Sequence, residues 1–411
     1  MSRVLLAWEL GDNLGHLSKL LPLATRLKER GHEVLVVVRN VALATEVLAP
    51  AGIRFVQSPV DLRVRANSLQ PRSYADVLLM QGWDRPPTLW GLVQAWGNLL
   101  ALFRPAVVVL DYAPTLLLAA RIFGVPVALL GTGFELPPLE TPLPSFPGFE
   151  GVTAEEAKAV DAHALASANH VLEAYRAAPL AALCDLFRTE GRWLTTFAEL
   201  DQYGARSGET YVGPISCLDR GEPVQWPSGF KHHILAYVRP GMANLPRILR
   251  ALASERDSAV ICAAPGVSTE LGAGLARPGF QFVPRPVRFK ALLPQTSVFV
   301  SYAPAASVTQ TLLAAIPQLM SPLHVEARMT AVRVVSIGAG LTIRGDETKQ
   351  EISAILRCVL DERRLKSSAL EFASRHHAFD PRAACERMVI EIERLSGGFA
   401  AREPIKSEWT A

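Results

Sequence analysis

The chain has 411 residues, 49% of them hydrophobic and 20% charged, so it is long enough for two domains with separate cores. A formal net charge of +3 is close to balance, and the scattered basic residues form no tract or motif for nucleic acid. The five cysteines, Cys184, Cys217, Cys262, Cys358 and Cys385, are far apart and never in a Cys-x-x-Cys pair. That argues against a disulfide framework and a structural zinc, and a cytoplasmic location is expected.

Residues 4–8 read as a buried strand, 17–30 as an amphipathic helix with Leu20, Leu23 and Leu27 on one face, and 34–38 as the next strand. The first apolar run is broken at Glu9 and Asp12, too early for a signal peptide. Residues 106–110 and 125–130 continue the strand and helix alternation, which predicts a doubly wound parallel sheet. No transmembrane segment is expected, because the most apolar region, 106–130, carries Asp111 and Arg121.

Ligands of such sheets bind beyond the carboxyl ends of the strands. One such end carries Trp8-Glu9-Leu10-Gly11-Asp12-Asn13-Leu14-Gly15-His16, and another carries Asp111. Neither a complete G-x-G-x-x-G nor a P-loop occurs. On its own Asp111 also suits a helix N-cap, and His16 a solvated residue near a helix start. Residues 58–103 hold Arg63, Arg65, Arg72, Trp83, Trp90 and Trp96; they read either as part of a binding site or as tryptophans packing a helix into the core.

Residues 131–151 are rich in Gly and Pro and read as a loop, followed by a helical stretch from 153 to about 188. A first domain over 1–214, a linker over 215–229 and a second domain over 230–380 are expected, with residues 381–411 a helix crossing back to the first domain plus a tail. The second sheet starts at 233–238 and repeats at 259–263, 281–283, 298–300 and 318–320. A helix is expected over 308–315; a helix opening straight off a strand end suits a phosphate.

Three segments together resemble one family. Gly15-His16 with Leu23, Ala24, Leu27, Arg30, Gly31, His32 and Val34 matches an N-terminal G-H-x-x-P-x-x-x-L-A-x-x-L-x-x-R-G-H-x-V frame, with Lys19 at the proline. Residues 107–111 followed by Gly124-Val125-Pro126 match a strand ending in Asp and a G-[IV]-P turn. Tyr302-Ala303-Pro304-Ala305-Ala306-Ser307-Val308-Thr309-Gln310-Thr311-Leu312, then Ala315-Ile316-Pro317 and Pro322-Leu323-His324-Val325-Glu326-Ala327, follows the frame H-G-G-x-G-T-V-x-E-A-L, G-V-P, P-L-x-x-[DE]-Q. These resemble the inverting nucleotide-sugar-dependent glycosyltransferases of the GT-B fold, the group of the UDP-glycosyltransferases and glucuronosyltransferases.

The resemblance implies an α/β chain of two Rossmann-like doubly wound domains facing across a cleft. It implies inverting, metal-independent transfer of a hexose from a nucleotide diphosphate, a UDP-sugar for choice, to a hydroxyl of a small, apolar or lipid-like acceptor. His16 would be the general base and Asp111 its orienting partner. On the donor side it points to Val287, Ser307, Gln310, His324 and Glu326. Where the family's donors are missing, Arg239 and Tyr302 are expected to hold the diphosphate. No cofactor beyond the nucleotide sugar is implied. A catalytically inactive nucleotide-sugar-binding or scaffold protein and a sugar-nucleotide epimerase are the alternatives.

Overall fold

The computed structural model describes residues 1–11, 14–62, 70–149, 151–216 and 219–397. The chain forms two compact units, Met1–Cys217 with Asp380–Ala411, and Leu218–Phe379.

The first unit holds seven strands: β1 (Arg3–Trp8), β2 (Glu33–Val38), β3 (Arg54–Gln57), β4 (Val107–Asp111), β5 (Val127–Gly131), β6 (Gly191–Leu194) and β7 (Thr210–Tyr211). They run parallel in the order β3-β2-β1-β4-β5-β6-β7. The central strands are continuous Val/Leu runs, as strands covered on both faces require, and β4 is buried along its length. The helix Leu14–Glu29 buries Leu17, Leu20, Leu23 and Leu27. The last helix, Pro381–Gly397, packs on it with Met388, Val389 and Ile392 buried. Arg26 and Glu386 pair at 2.6 Å, Arg30 and Glu393 at 2.7 Å, and His32 and Glu393 at 2.8 Å.

The long helix expected over 153–188 is shorter. It spans Ala154–Ala174 under a capping box from Thr153 and Glu156, because Arg176 turns left-handed at φ 53° and Pro179 blocks continuation. Trp83 and Trp96 are fully buried, and the Trp83 indole donates to the Thr115 hydroxyl at 3.2 Å. These two tryptophans pack the core, and Trp90 is half-buried. Arg63 and Arg65 lie outside the described residues, and Arg72 sits 3.6 Å from Glu156.

The second unit holds β8 (His232–Tyr237), β9 (Ser258–Ala263), β10 (Phe280–Val283), β11 (Val298–Ser301), β12 (Gln318–Met320) and β13 (Gly340–Thr342), parallel in the order β10-β9-β8-β11-β12-β13. Ile234, Val260, Val300 and Leu319 are among its core residues. The two doubly wound sheets expected from the sequence are both present. In each, the order reverses beside the first strand of the unit, between β1 and β4 and between β8 and β11, and that is where a crevice forms in such sheets. Register pairs Trp8 with Asp111 at the first reversal and Tyr237 with Ser301 at the second. Among the described residues no helix is long and apolar enough to cross a membrane.

Candidate active site

Beyond β1 and β4 lies a buried cluster of ionisable groups. His16 stands in the first turns of its helix and is 6% exposed; its Nδ1 lies 3.0 Å from Oδ2 of Asp111, the last residue of β4. An ionised carboxylate only accepts, so Nδ1 carries the proton and Nε2 is left with its lone pair. A methyl group built on Gly11, which holds φ +82°, would meet Nε2 at 2.8 Å. The backbone there runs close against the nitrogen that would take a proton, and glycine is needed to leave it room. The imidazole is stacked between Trp8, centroids 5.2 Å apart, and Tyr112 at 6.0 Å.

The second oxygen of Asp111 is also engaged. Lys19 Nζ donates to it at 2.7 Å and to Oε1 of Glu135 at 3.1 Å, with Lys19 5% and Glu135 4% exposed. The other Glu135 oxygen accepts from the Thr132 N–H at 2.7 Å and its hydroxyl at 2.9 Å. Burial opposes the charge on Lys19, but Asp111 and then Glu135 outweigh it and hold the ammonium above its usual range. Burial likewise opposes the Glu135 carboxylate; Lys19, His16 and the Thr132 N–H hold it below its usual range. Ligand-type atoms of His16, Asp111 and Glu135 lie within 4.8 Å of one another, and the cation bonded among them is the chain's own Lys19.

Glu9, one residue beyond β1, accepts from the Thr115 and Leu116 N–H groups at 2.9 and 3.4 Å, at the N-terminus of the helix Pro114–Phe123. Burial pushes its carboxyl up to about 7, against the pull of the Thr115 and Leu116 hydrogen bonds and of Arg39.

In the second unit the loop after β11 leads into the helix Ala305–Leu313, which starts three residues earlier than the sequence pattern suggested because the two alanines after Pro304 are helical. Pro304 is the N-cap and offers no side-chain acceptor to the first-turn N–H groups. Ala303 holds φ +62° and Ala315, after the helix, φ +58°. Both are left-handed, a region that costs an alanine roughly 1–2 kcal/mol and a glycine almost nothing. Tyr302 is 7% exposed, its ring 5.5 Å from that of Tyr237 and 6.3 Å from that of His324. Burial, then Tyr237, pushes the Tyr302 phenol well above its usual range, and the positive charge of Arg239 acts against that.

Arg239 follows β8, and among the described residues no carboxylate pairs with its guanidinium. His324 caps the helix Val325–Ser336, its Nδ1 accepting from the Ala327 N–H at 3.3 Å, which leaves Nε2 as the donor of the neutral ring. Val287 makes a parallel bridge with Glu222 through Pro286 and Arg288, so among the described residues its own N–H and carbonyl take no protein partner. That bridge needs Gly221, where a methyl group would meet the Pro286 carbonyl oxygen at 2.4 Å.

Residues 290–395 match the family model described as UDP-glucoronosyl and UDP-glucosyl transferase. No curated protein matches the chain. Among solved structures the calicheamicin glycosyltransferase CalG4 superposes with a TM-score of 0.71 at 17% identity, covering 96% of this chain and 98% of that one. The chain has the GT-B fold of these glycosyltransferases. Glycosyltransferase VinC in complex with dTDP gives a TM-score of 0.64 at 17% identity over 97% of this chain and 100% of that one. Spinosyn rhamnosyltransferase SpnG complexed with thymidine diphosphate gives 0.64 at 15% over 94% and 100%.

On this GT-B frame the sequence-derived residues fall into two groups. His16 and Asp111 are in direct contact at the reversal point of the first sheet. Tyr302, His324 and Arg239 gather around the reversal point of the second. Ser307 lies in the first turn of the helix Ala305–Leu313 and Gln310 one turn further, both half-buried. Glu326 lies half-buried in the first turn after His324. Sequence reasoning passed over Lys19 as a departure from a motif and did not single out Glu135 or Tyr237. A lysine at i+3 from His16, on the face that buries Leu20 and Leu23, was the available signal, since a buried ammonium demands a carboxylate.

Proposed function

We propose that the chain transfers a sugar, with inversion and without a metal, from a nucleoside diphosphate to an acceptor hydroxyl. His16 Nε2 would take the acceptor proton, and Asp111 would hold Nδ1–H and balance the imidazolium that forms. The single observation that carries this reading is the buried 3.0 Å contact between His16 Nδ1 and Asp111, which turns Nε2 toward Gly11. An imidazolium between the faces of Trp8 and Tyr112 would gain further from the aromatic quadrupoles.

On the donor side, the helix Ala305–Leu313 would offer its uncapped first-turn N–H groups to the diphosphate, with Arg239 and the Tyr302 hydroxyl as additional donors. The unpaired backbone groups of Val287 suit a base that presents one donor beside an acceptor. Uracil and thymine both do. The matched family is named for UDP-sugars and two of the neighbours hold thymidine diphosphate, so UDP- and dTDP-sugars are the donors to test.

A second reading, a nucleotide-sugar-binding protein without turnover, is favoured by the donor loop itself, where Tyr302 is buried against Tyr237 and Pro304 removes one backbone donor. Thermal unfolding with UDP, dTDP and their hexose conjugates separates the cases when combined with turnover. A bound nucleotide at a hundredfold excess over its Kd stabilises by about 2.7 kcal/mol. Binding together with release of nucleoside diphosphate in the presence of acceptor supports transfer, binding alone supports the second reading, and no shift with any nucleotide contradicts both.

A further inference from the structure

Asp111 is shared. One oxygen serves the imidazole of His16 and the other the ammonium of Lys19, at 3.0 and 2.7 Å. A carboxylate divided in this way cannot give its whole charge to an imidazolium, because the ammonium already neutralises much of it. Glu135, on the other side of Lys19 at 3.1 Å, supplies a second buried negative charge. With a neutral imidazole the four groups carry one net negative charge, and a proton on His16 brings them to balance. The Thr132 N–H and hydroxyl fix Glu135 in turn, so Asp111, Lys19 and Glu135 are each held by two neighbours.

We propose that Lys19 and Glu135 are positioning residues of this chain's base: Lys19 locks the orientation of Asp111, and Glu135 returns to His16 the negative charge that Lys19 takes away. This rests on the reading of His16 as the base. Among the described residues, the other titratable groups near the imidazole include the phenol of Tyr112, its ring 6.0 Å away, and behind it that of Tyr74, the two phenol rings 6.1 Å apart. The two proposed residues carry opposite charges, so their removal moves the imidazole in opposite directions, which a merely structural role for either would not do.

The test is the proton titration of His16 in the whole protein with carbon-13-labelled histidine, its signal assigned by the spectrum lost in His16→Gln. Glu135→Gln keeps an acceptor for Thr132 and removes a negative charge, and should lower the midpoint by about one pH unit. Lys19→Met should raise it by a similar amount, Lys19→Arg should return it to the parent value, and the double variant should show the two shifts cancelling. If Lys19→Met does not fold, Glu135→Gln alone decides: a midpoint that stays within about 0.3 unit, or rises, overturns the proposal. The pH dependence of kcat/KM separates this from the reading beneath it. Rate midpoints that follow the imidazole support both, whereas imidazole shifts with an unmoved rate profile leave the network standing and remove His16 as the base.

Discussion

His16 and Asp111 are 95 residues apart in the chain and 3.0 Å apart in the structure, brought together because β1 and β4 are neighbours in the first sheet with Trp8 in register with Asp111. The contact fixes which imidazole nitrogen carries the proton. Asp111→Asn would turn an amide NH2 to His16 and an amide oxygen to Lys19, favouring the wrong tautomer and leaving Glu135 as the one negative charge bonded to a buried ammonium. Transfer should fall by about 10²–10⁴-fold. Stability should fall by about 1–3 kcal/mol, read by urea unfolding. A variant with unchanged stability would show that Lys19 does not depend on Asp111.

Glu9 gives a pH-dependent prediction of its own. Its carboxyl is raised from 4.5 to about 7 by burial, so between these values the folded chain holds a proton that the unfolded chain has released. Stability from this group is therefore present in full below about pH 4.5 and is lost as pH rises through about 7. Glu9→Gln can still accept from the Thr115 and Leu116 N–H groups and has no charge to bury. It should match the parent near pH 4.5 and exceed it at pH 8 by on the order of 3 kcal/mol. A gap between parent and variant that does not widen with pH would contradict the assignment.

The loop after β11 predicts that Ala303→Gly stabilises the protein, against the usual direction of that change. At φ +62° the alanine methyl is strained by roughly 1–2 kcal/mol, while glycine adds about 0.4–1 kcal/mol of unfolded-state entropy. A gain of up to about 1 kcal/mol in thermal unfolding is expected, and a loss of about 1 kcal/mol, as in an ordinary helix, would contradict the loop conformation.

Arg239→Ala should weaken the binding of UDP or dTDP by about 1.5–3 kcal/mol, the range of a hydrogen bond to a charged group. Affinity of the variant should also depend less steeply on salt. Titration calorimetry at two ionic strengths checks both, and equal affinities of parent and variant would place Arg239 outside the site.

The strand that leads to the helix of His16 and the strand that ends in Asp111 were legible in the sequence because buried parallel strands are unbroken Val/Leu runs, and the residues just beyond them fell into a known frame. The frame at 302–317 survives in the backbone: Ala303 and Ala315, which stand where the family has glycine, keep left-handed angles. Glu135 was not legible, since it lies in a Gly- and Pro-rich loop 116 residues from Lys19 and no local pattern links the two. The edge strand β3, with Arg54 and Gln57 exposed, and the early end of the helix at Ala174 were missed for related reasons. An edge strand needs no apolar alternation, and an alanine-rich stretch hides a terminus set by one left-handed residue.

The central claim, that His16 is the base of a glycosyl transfer, is tested most directly by the release of nucleoside diphosphate from UDP- and dTDP-hexoses with a mixture of hydroxyl acceptors, comparing the parent with His16→Ala. The account predicts turnover by the parent and a loss of about 10²–10⁴-fold in the variant with donor affinity nearly unchanged. Equal turnover by the two proteins would contradict it.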